Sequence, residues 1–144
     1  MNFYTSIFPN SKVLNVSRYG KEGAEVSGRP EGSVMVAAVE LNGQRFDLLN
    51  GGPDFKFTEA ISFVINCEDQ AEVDHFWDKL TEGGQEVQCG WLKDKFGVSW
   101  QVTPTIMGKL MSDPDKAKSG RVMAAMLKMK KIDIAKLQEA YDEV

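Results

Sequence analysis

Hydrophobic positions change their spacing several times along the chain, and each change predicts an element. Phe3, Tyr4, Ile7 and Phe8 recur at helical intervals until Pro9-Asn10 ends the stripe, with no capping residue upstream. From Val13 to Tyr19 the period drops to two, as in a strand with one wet face. Gly20 to Gly32, rich in glycine and charge, predicts a mobile loop. Ser33 to Leu41 is a dense Val/Met/Ala run, then Asn42-Gly43 signals a tight hairpin that returns as Gln44 to Asn50.

After the break at Gly51-Gly52-Pro53, Ala60 to Asn66 predicts another strand. A helix follows, because Asp69 and Glu72 have capping-box spacing and Val73, Phe76, Trp77 and Leu80 form one apolar face up to Gly83-Gly84. Glu86 to Gly90, Trp91 to Lys93 and Val98 to Val102 predict three short strands, the last two joined by a turn at Asp94 to Gly97. Beyond Pro104 the period is helical. Ile106, Met107, Leu110 and Met111 come first, and Val122, Met123, Met126 and Met129 follow Asp113-Pro114. Asp133 caps a last helix, with Ile132 and Leu137 at hydrophobic-staple spacing around it. The methionine stripe suits core packing better than a dimer surface.

Part of the pattern repeats. Asn2 to Ile7 aligns with His75 to Leu80, and Gly43-Gln44-Arg45-Phe46-Asp47-Leu48 aligns with Gly97-Val98-Ser99-Trp100-Gln101-Val102. The expected fold is therefore α+β: two βαβββ modules forming a cupped mixed sheet, with C-terminal helices. Residues 1–104 would hold the pair, 1–56 the first module and 57–104 the second, with 105–144 a helical tail. Met1 aligns with Asp74, so the first module should lack its first strand, a gap that a second chain could cover.

Composition narrows the function. A chain of 144 residues with 42% hydrophobic content can bury a core without staples, and its net charge of -4 without a basic cluster argues against nucleic acid. Cys67 and Cys89 lie far apart, as expected of small hydrophobes in a reducing, cytoplasmic setting. Neither a secretory leader nor a membrane-spanning stretch is expected. His75 is the only histidine, leaving little material for a His-rich zinc site or a Ser-His-Asp arrangement, and it reads as a surface residue. Asn50-Gly51-Gly52-Pro53 lacks the lysine and context of a phosphate loop and reads as a turn.

Several stretches carry a resemblance. They are Phe3-Tyr4 with Ile7-Phe8, Pro30 to Met35, Leu49-Asn50-Gly51-Gly52-Pro53, Trp91 to Gln101, and Met129-Lys130-Lys131-Ile132-Asp133. Together they resemble the PhnB-like branch of the vicinal-oxygen-chelate superfamily, the glyoxalase and bleomycin-resistance fold, often labelled 3-demethylubiquinone-9 3-methyltransferase. The resemblance implies a cup whose first and last strands hold a divalent metal where one is present. It would place Asp47 and Gln101 facing that cup, with Ala60 at the first-strand position of the second module and Glu59 turned away. Asp47 suits a hard metal and Gln101 is a weaker ligand, so a polar pocket is favoured over a metal site, and no cofactor is assigned.

The expected ligand-binding residues are Asp47, Gln101, Trp100 and Phe55, although Trp91, Trp100, Phe55 and Phe57 also suit a hydrophobic core. The leading expectation is a small-molecule-binding homodimer. A metal-dependent lyase, isomerase or dioxygenase-like enzyme comes second, and a structural or interaction protein third. Methyl transfer commonly uses a doubly wound sheet with a Gly-rich first turn, and neither is legible here.

Overall fold

The computed structural model describes residues 1–143. Two units divide the chain, Met1–Lys56 and Phe57–Val144.

The first unit opens with helix α1 (Asn2–Ile7), then strand β1 (Lys12–Arg18), helix α2 (Lys21–Ser27), and strands β2 (Val34–Leu41) and β3 (Gln44–Leu49). The strands form an antiparallel sheet of order β1-β2-β3, with α1 packed against β2. Ala37, Val39 and Leu41 alternate along one face of β2 and are buried, as are Tyr4 and Ile7 of α1. Asn42 and Gly43, at φ 47° and 83°, make the predicted hairpin, since both central residues of such a turn need positive φ. Tyr19 ties the sheet's end together by donating its hydroxyl to the Asn50 carbonyl at 2.6 Å.

Helix α2 corrects the expectation of a loop over Gly20 to Gly32. Lys21, Glu22, Ala24 and Glu25 are adequate helix formers, and the flanking glycines act as its ends, Gly28 taking the left-handed C-cap at φ 68°. None of its residues is buried, so no apolar face advertised it.

The second unit runs β4 (Phe63–Cys67), α3 (Gln70–Thr81), β5 (Gln85–Glu86), β6 (Trp91–Lys93) and β7 (Ser99–Pro104), then α4 (Thr105–Met111), α5 (Lys116–Met126) and α6 (Ile134–Asp142). Its sheet has the order β4-β7-β6-β5, with β4 parallel to β7 and the other pairs antiparallel. The predicted cap at Asp69 starts α3, with Glu72 bonding one residue further back than a capping box requires. Asp69 accepts from the Glu72 N–H at 2.9 Å, while Glu72 reaches back to the Glu68 N–H at 2.8 Å. Val73, Phe76, Trp77 and Leu80 are all buried and pack the helix on the sheet.

Two strands differ from expectation. β4 begins at Phe63 rather than Ala60, because Glu59, Ala60 and Ile61 form a turn that leaves Ile61 74% exposed. β5 stops at Glu86, since the chain turns back through Cys89 and Gly90, both at positive φ. The tail helices build a cluster of Leu110, Val122, Ile132 and Leu137, with Met107, Met111, Met126 and Met129 against it. The methionine stripe therefore serves this core, except for Met123, which is 40% exposed. Asp133 caps α6 by accepting from the Lys136 N–H, as expected, and Asp115 caps α5 by accepting from the Ala117 and Lys118 N–H groups. Among the described residues no helix is long and apolar enough to cross a membrane.

Candidate functional site

A strand sends successive side chains to opposite faces, so register alone sorts the second unit's sheet. Trp100 and Val102 on β7, Leu92 on β6, and Ile65 and Cys67 on β4 share the face covered by α3, and all are buried. Ser99, Gln101 and Thr103 point the other way, beside Trp91 and Lys93 of β6 and Val64 and Asn66 of β4. That second face is polar and partly open, with Val64 53% exposed.

The segment 57–62, just ahead of β4, lies along this face and is held by two polar contacts. The Ser62 hydroxyl accepts from the Gln101 amide at 3.0 Å. The Lys93 ammonium pairs with the Glu59 carboxylate, and that hydrogen bond holds the Glu59 carboxyl below the usual carboxylate range. Ser99 lies opposite Lys93 in the β6/β7 register and is only 3% exposed, yet its hydroxyl has no hydrogen-bond partner among the described residues.

The hairpin that carries these residues is set by a buried carboxylate. Asp94 Oδ1 accepts from the backbone N–H groups of Phe96 and Val98 at 2.9 and 3.0 Å, and Oδ2 accepts from the Trp100 indole N–H at 2.9 Å. A carboxylate suits this place because it has two oxygens for three converging donors.

The expected site residues are not all brought together. Gln101 lies on the polar face, half-buried. Trp100, its neighbour on β7, points to the α3 side, with its ring 5.3 Å from that of Phe63. Asp47 sits on β3 of the first unit, opposite Ala38, and its Oδ1 accepts from Arg45 at 3.1 and 3.2 Å. Phe55 is 96% exposed on the segment between β3 and β4. Ala60 falls outside β4, and Glu59, expected to turn away, is the one that reaches Lys93. His75 is exposed on α3, edge-on to Phe76.

Sequence reasoning missed Lys93 and Ser99. A period-two count back from Gln101 places Ser99 on its face, and folding the hairpin about Asp94 to Gly97 then sets Lys93 opposite it. Nothing local announces Glu59, because its contact depends on the path of the segment before β4.

As a metal centre the donors fit poorly. Among the described residues no three of His, Cys, Asp and Glu converge as ligands, and Asp47 already accepts from a guanidinium. A hollow of about 340 Å³, bordered by Gln70, Asp74, Lys131 and Asp133, has its charges paired with one another. Lys131 bridges Asp74 and Asp78 at 3.0 and 3.3 Å, and Gln70 fastens α3 to the start of α6 by donating to the Ile132 carbonyl and accepting from the Ile134 N–H.

The two cysteines differ in availability. Cys67 is fully buried, and burial, with Glu72, Asp69 and Glu68 nearby, pushes its thiol up to about 12. Cys89 is half-buried. Titration of the native protein with a chromogenic disulfide is expected to show one reactive thiol, and titration in denaturant two. Two fast thiols in the native state would contradict the burial of Cys67.

Comparison with known proteins agrees with this architecture. The 3-demethylubiquinone-9 3-methyltransferase family model matches residues 1–103. A PhnB protein of Bacillus cereus that carries the same methyltransferase label is 38% identical, with a TM-score of 0.65 over 73% of this chain and 88% of its own. The Pseudomonas aeruginosa protein PA1353 shares the fold at 18% identity, with a TM-score of 0.55 over 72% of this chain and 84% of its own. No curated protein matches the chain. The chain thus belongs to the PhnB-like family that bears the 3-demethylubiquinone-9 3-methyltransferase name.

Proposed function

We propose that this protein binds a small molecule as a member of the glyoxalase and bleomycin-resistance superfamily, and that it does not transfer methyl groups from S-adenosylmethionine. The observation that carries the reading is the division of the second unit's sheet. One face is sealed by α3, while the other, partly open, presents Gln101 and Ser62 side by side with Ser99 and Thr103, a surface with a few placed polar groups. Against the methyltransferase name stands the topology. The sheets are one antiparallel and one with a single parallel pair, whereas nucleotide-type cofactors are commonly held at the switch point of a doubly wound parallel sheet.

Asp47, which follows its hairpin glycine at the same interval as Gln101, is proposed as a ligand contact on the first unit's own sheet. The protein is proposed to act as a cytoplasmic homodimer, a reading supported by exposed Phe57 and Ile61 and by two free cysteines.

Thermal unfolding across a panel of small metabolites tests the function. A ligand at a hundred times its Kd adds about 2.7 kcal/mol of stability, and this gain should vanish in Gln101→Leu. S-adenosylmethionine should give no shift; saturable binding of it would overturn the proposal. Tight stoichiometric metal that is lost in Asp47→Ala would instead favour a metal-dependent enzyme.

A further inference from the structure

Three features of the polar sheet face point to the chemical class of its ligand. The first is Lys93. Its ammonium stands on β6 beside a half-buried tryptophan strand neighbour and opposite Ser99, and its side chain is only 31% exposed. A lysine drawn onto a sheet face gives up hydration, and it needs an anion there.

The second is the identity of that anion. Glu59 belongs to no strand or helix, and its own side chain is 62% exposed. Its backbone sits in the turn before β4, so the carboxylate reaches Lys93 from a segment outside the sheet's hydrogen-bond ladder. An ion pair this exposed is weak, because water screens it and both side chains must be ordered to hold it, so a competitor can replace it.

The third is the Ser99 hydroxyl. Native structures rarely leave a buried polar atom without a partner, and each such atom calls for an explanation. Ser99 shares the face and the register position of Lys93, so a group that binds the ammonium comes within the neighbourhood of an unused donor. Gln101 is the next residue of the same row, and its amide is held by Ser62. One ammonium and one hydroxyl, side by side, match the oxygens of an oxyanion, which accepts from both.

We infer that Lys93 and Ser99 recognise an oxyanion group, a carboxylate or phosphoryl oxygen, on the small molecule this face binds, and that Glu59 is a built-in stand-in which the ligand displaces. This rests on the proposed binding role of the face and adds the class of ligand and the residues that select it. No covalent bond is made or broken; the ligand's oxyanion replaces the Glu59 carboxylate as the acceptor at the same ammonium.

The Trp91 indole N–H signal in nitrogen-15 NMR reports on the face, because Trp91 stands opposite Gln101. Oxalate, inorganic phosphate and neutral acetamide are the probes, titrated into the wild type, Glu59→Gln, Lys93→Met, Ser99→Ala and Gln101→Leu. Removing the competing carboxylate should tighten oxyanion binding roughly five-fold, the weight of one exposed ion pair. Lys93→Met should weaken it by at least as much, Ser99→Ala should weaken it less, and the better of oxalate and phosphate names the oxyanion. Lys93→Gln, which keeps a polar side chain, guards against a folding defect in Lys93→Met.

Equal oxyanion affinity in the wild type, Glu59→Gln and Lys93→Met overturns the inference. If acetamide binding is lost in Gln101→Leu while oxyanions ignore Lys93, the face binds ligands without selecting anions, and only the inference falls. If no probe moves the Trp91 signal in any variant, the inference and the proposed binding face fall together.

Discussion

Gly90→Ala is expected to destabilise the second unit by roughly 2–5 kcal/mol, the sum of a left-handed backbone penalty and an overpacking penalty. Gly90 sits at φ 83°, where an L side chain is strained. An added Cβ would also lie 2.8 Å from the Val102 carbonyl oxygen and 3.1 Å from Ile132 Cγ1. The backbone cannot yield cheaply, because Val102 donates to the Gly90 carbonyl and Gly90 donates to the Lys130 carbonyl, both at 2.8 Å. These bonds join β7 to the segment ahead of α6, so the strain is delivered where the tail meets the sheet.

Gly43→Ala is the internal control. It has the same φ of 83°, but a Cβ there meets nothing within 4 Å, so only the backbone part, about 1–2 kcal/mol, should be lost. For a domain of this size each kcal/mol lowers Tm by about 2–4 °C, so the two variants separate clearly in a thermal melt. Equal losses would show that the close approach at Gly90 carries no weight.

Asp94→Ala should cost roughly 3–5 kcal/mol, because it removes three hydrogen bonds to a charged acceptor and strands an indole N–H in the core. Asp94 is 3% exposed and Trp100 is 5% exposed, so water cannot readily take the carboxylate's place. Asp94→Asn separates the roles of the two oxygens. One amide oxygen can still serve the Phe96 and Val98 N–H groups, but the amide nitrogen then faces the Trp100 N–H donor to donor. The loss should fall between wild type and alanine. Urea midpoints followed by tryptophan fluorescence give the values, and an alanine variant within about 0.5 kcal/mol of wild type, the range of an ordinary surface change, would sink this account. The same hairpin positions Lys93, Ser99 and Gln101, so Asp94→Ala should also blunt ligand binding.

Elements whose cause is local were readable in advance. Asn42-Gly43 makes a tight turn because two adjacent residues must accept positive φ, and Asp69 starts α3 because its carboxylate meets an orphan N–H three residues on. Asp133, Ile132 and Leu137 behave the same way at α6. Helix α2 was hidden because its glycines read as loop while acting as caps, and it has no buried face to impose a period. β4 was placed too early because Ile61 is a strand former whose side chain stays in solvent.

The candidate site was half legible. Gln101 emerged from the repeat, and Trp100 was grouped with it although adjacent strand residues face opposite ways. Ser99 and Lys93 needed only the hairpin register, whereas the Glu59 contact needed the path of a segment that has no periodic pattern.

By itself, then, the order of residues determined most of the helices and strands, the caps of α3 and α6, and which positions of β7 share a face, since these follow from backbone sterics and from spacings of a few residues. Only the tertiary structure decided that Asp94 holds the Trp100 ring, that Glu59 meets Lys93 across 34 residues, and that Ser99 is buried without a partner among the described residues. Such contacts depend on how distant segments pack, and burial, unlike period, is a property that no local stretch of chain possesses alone.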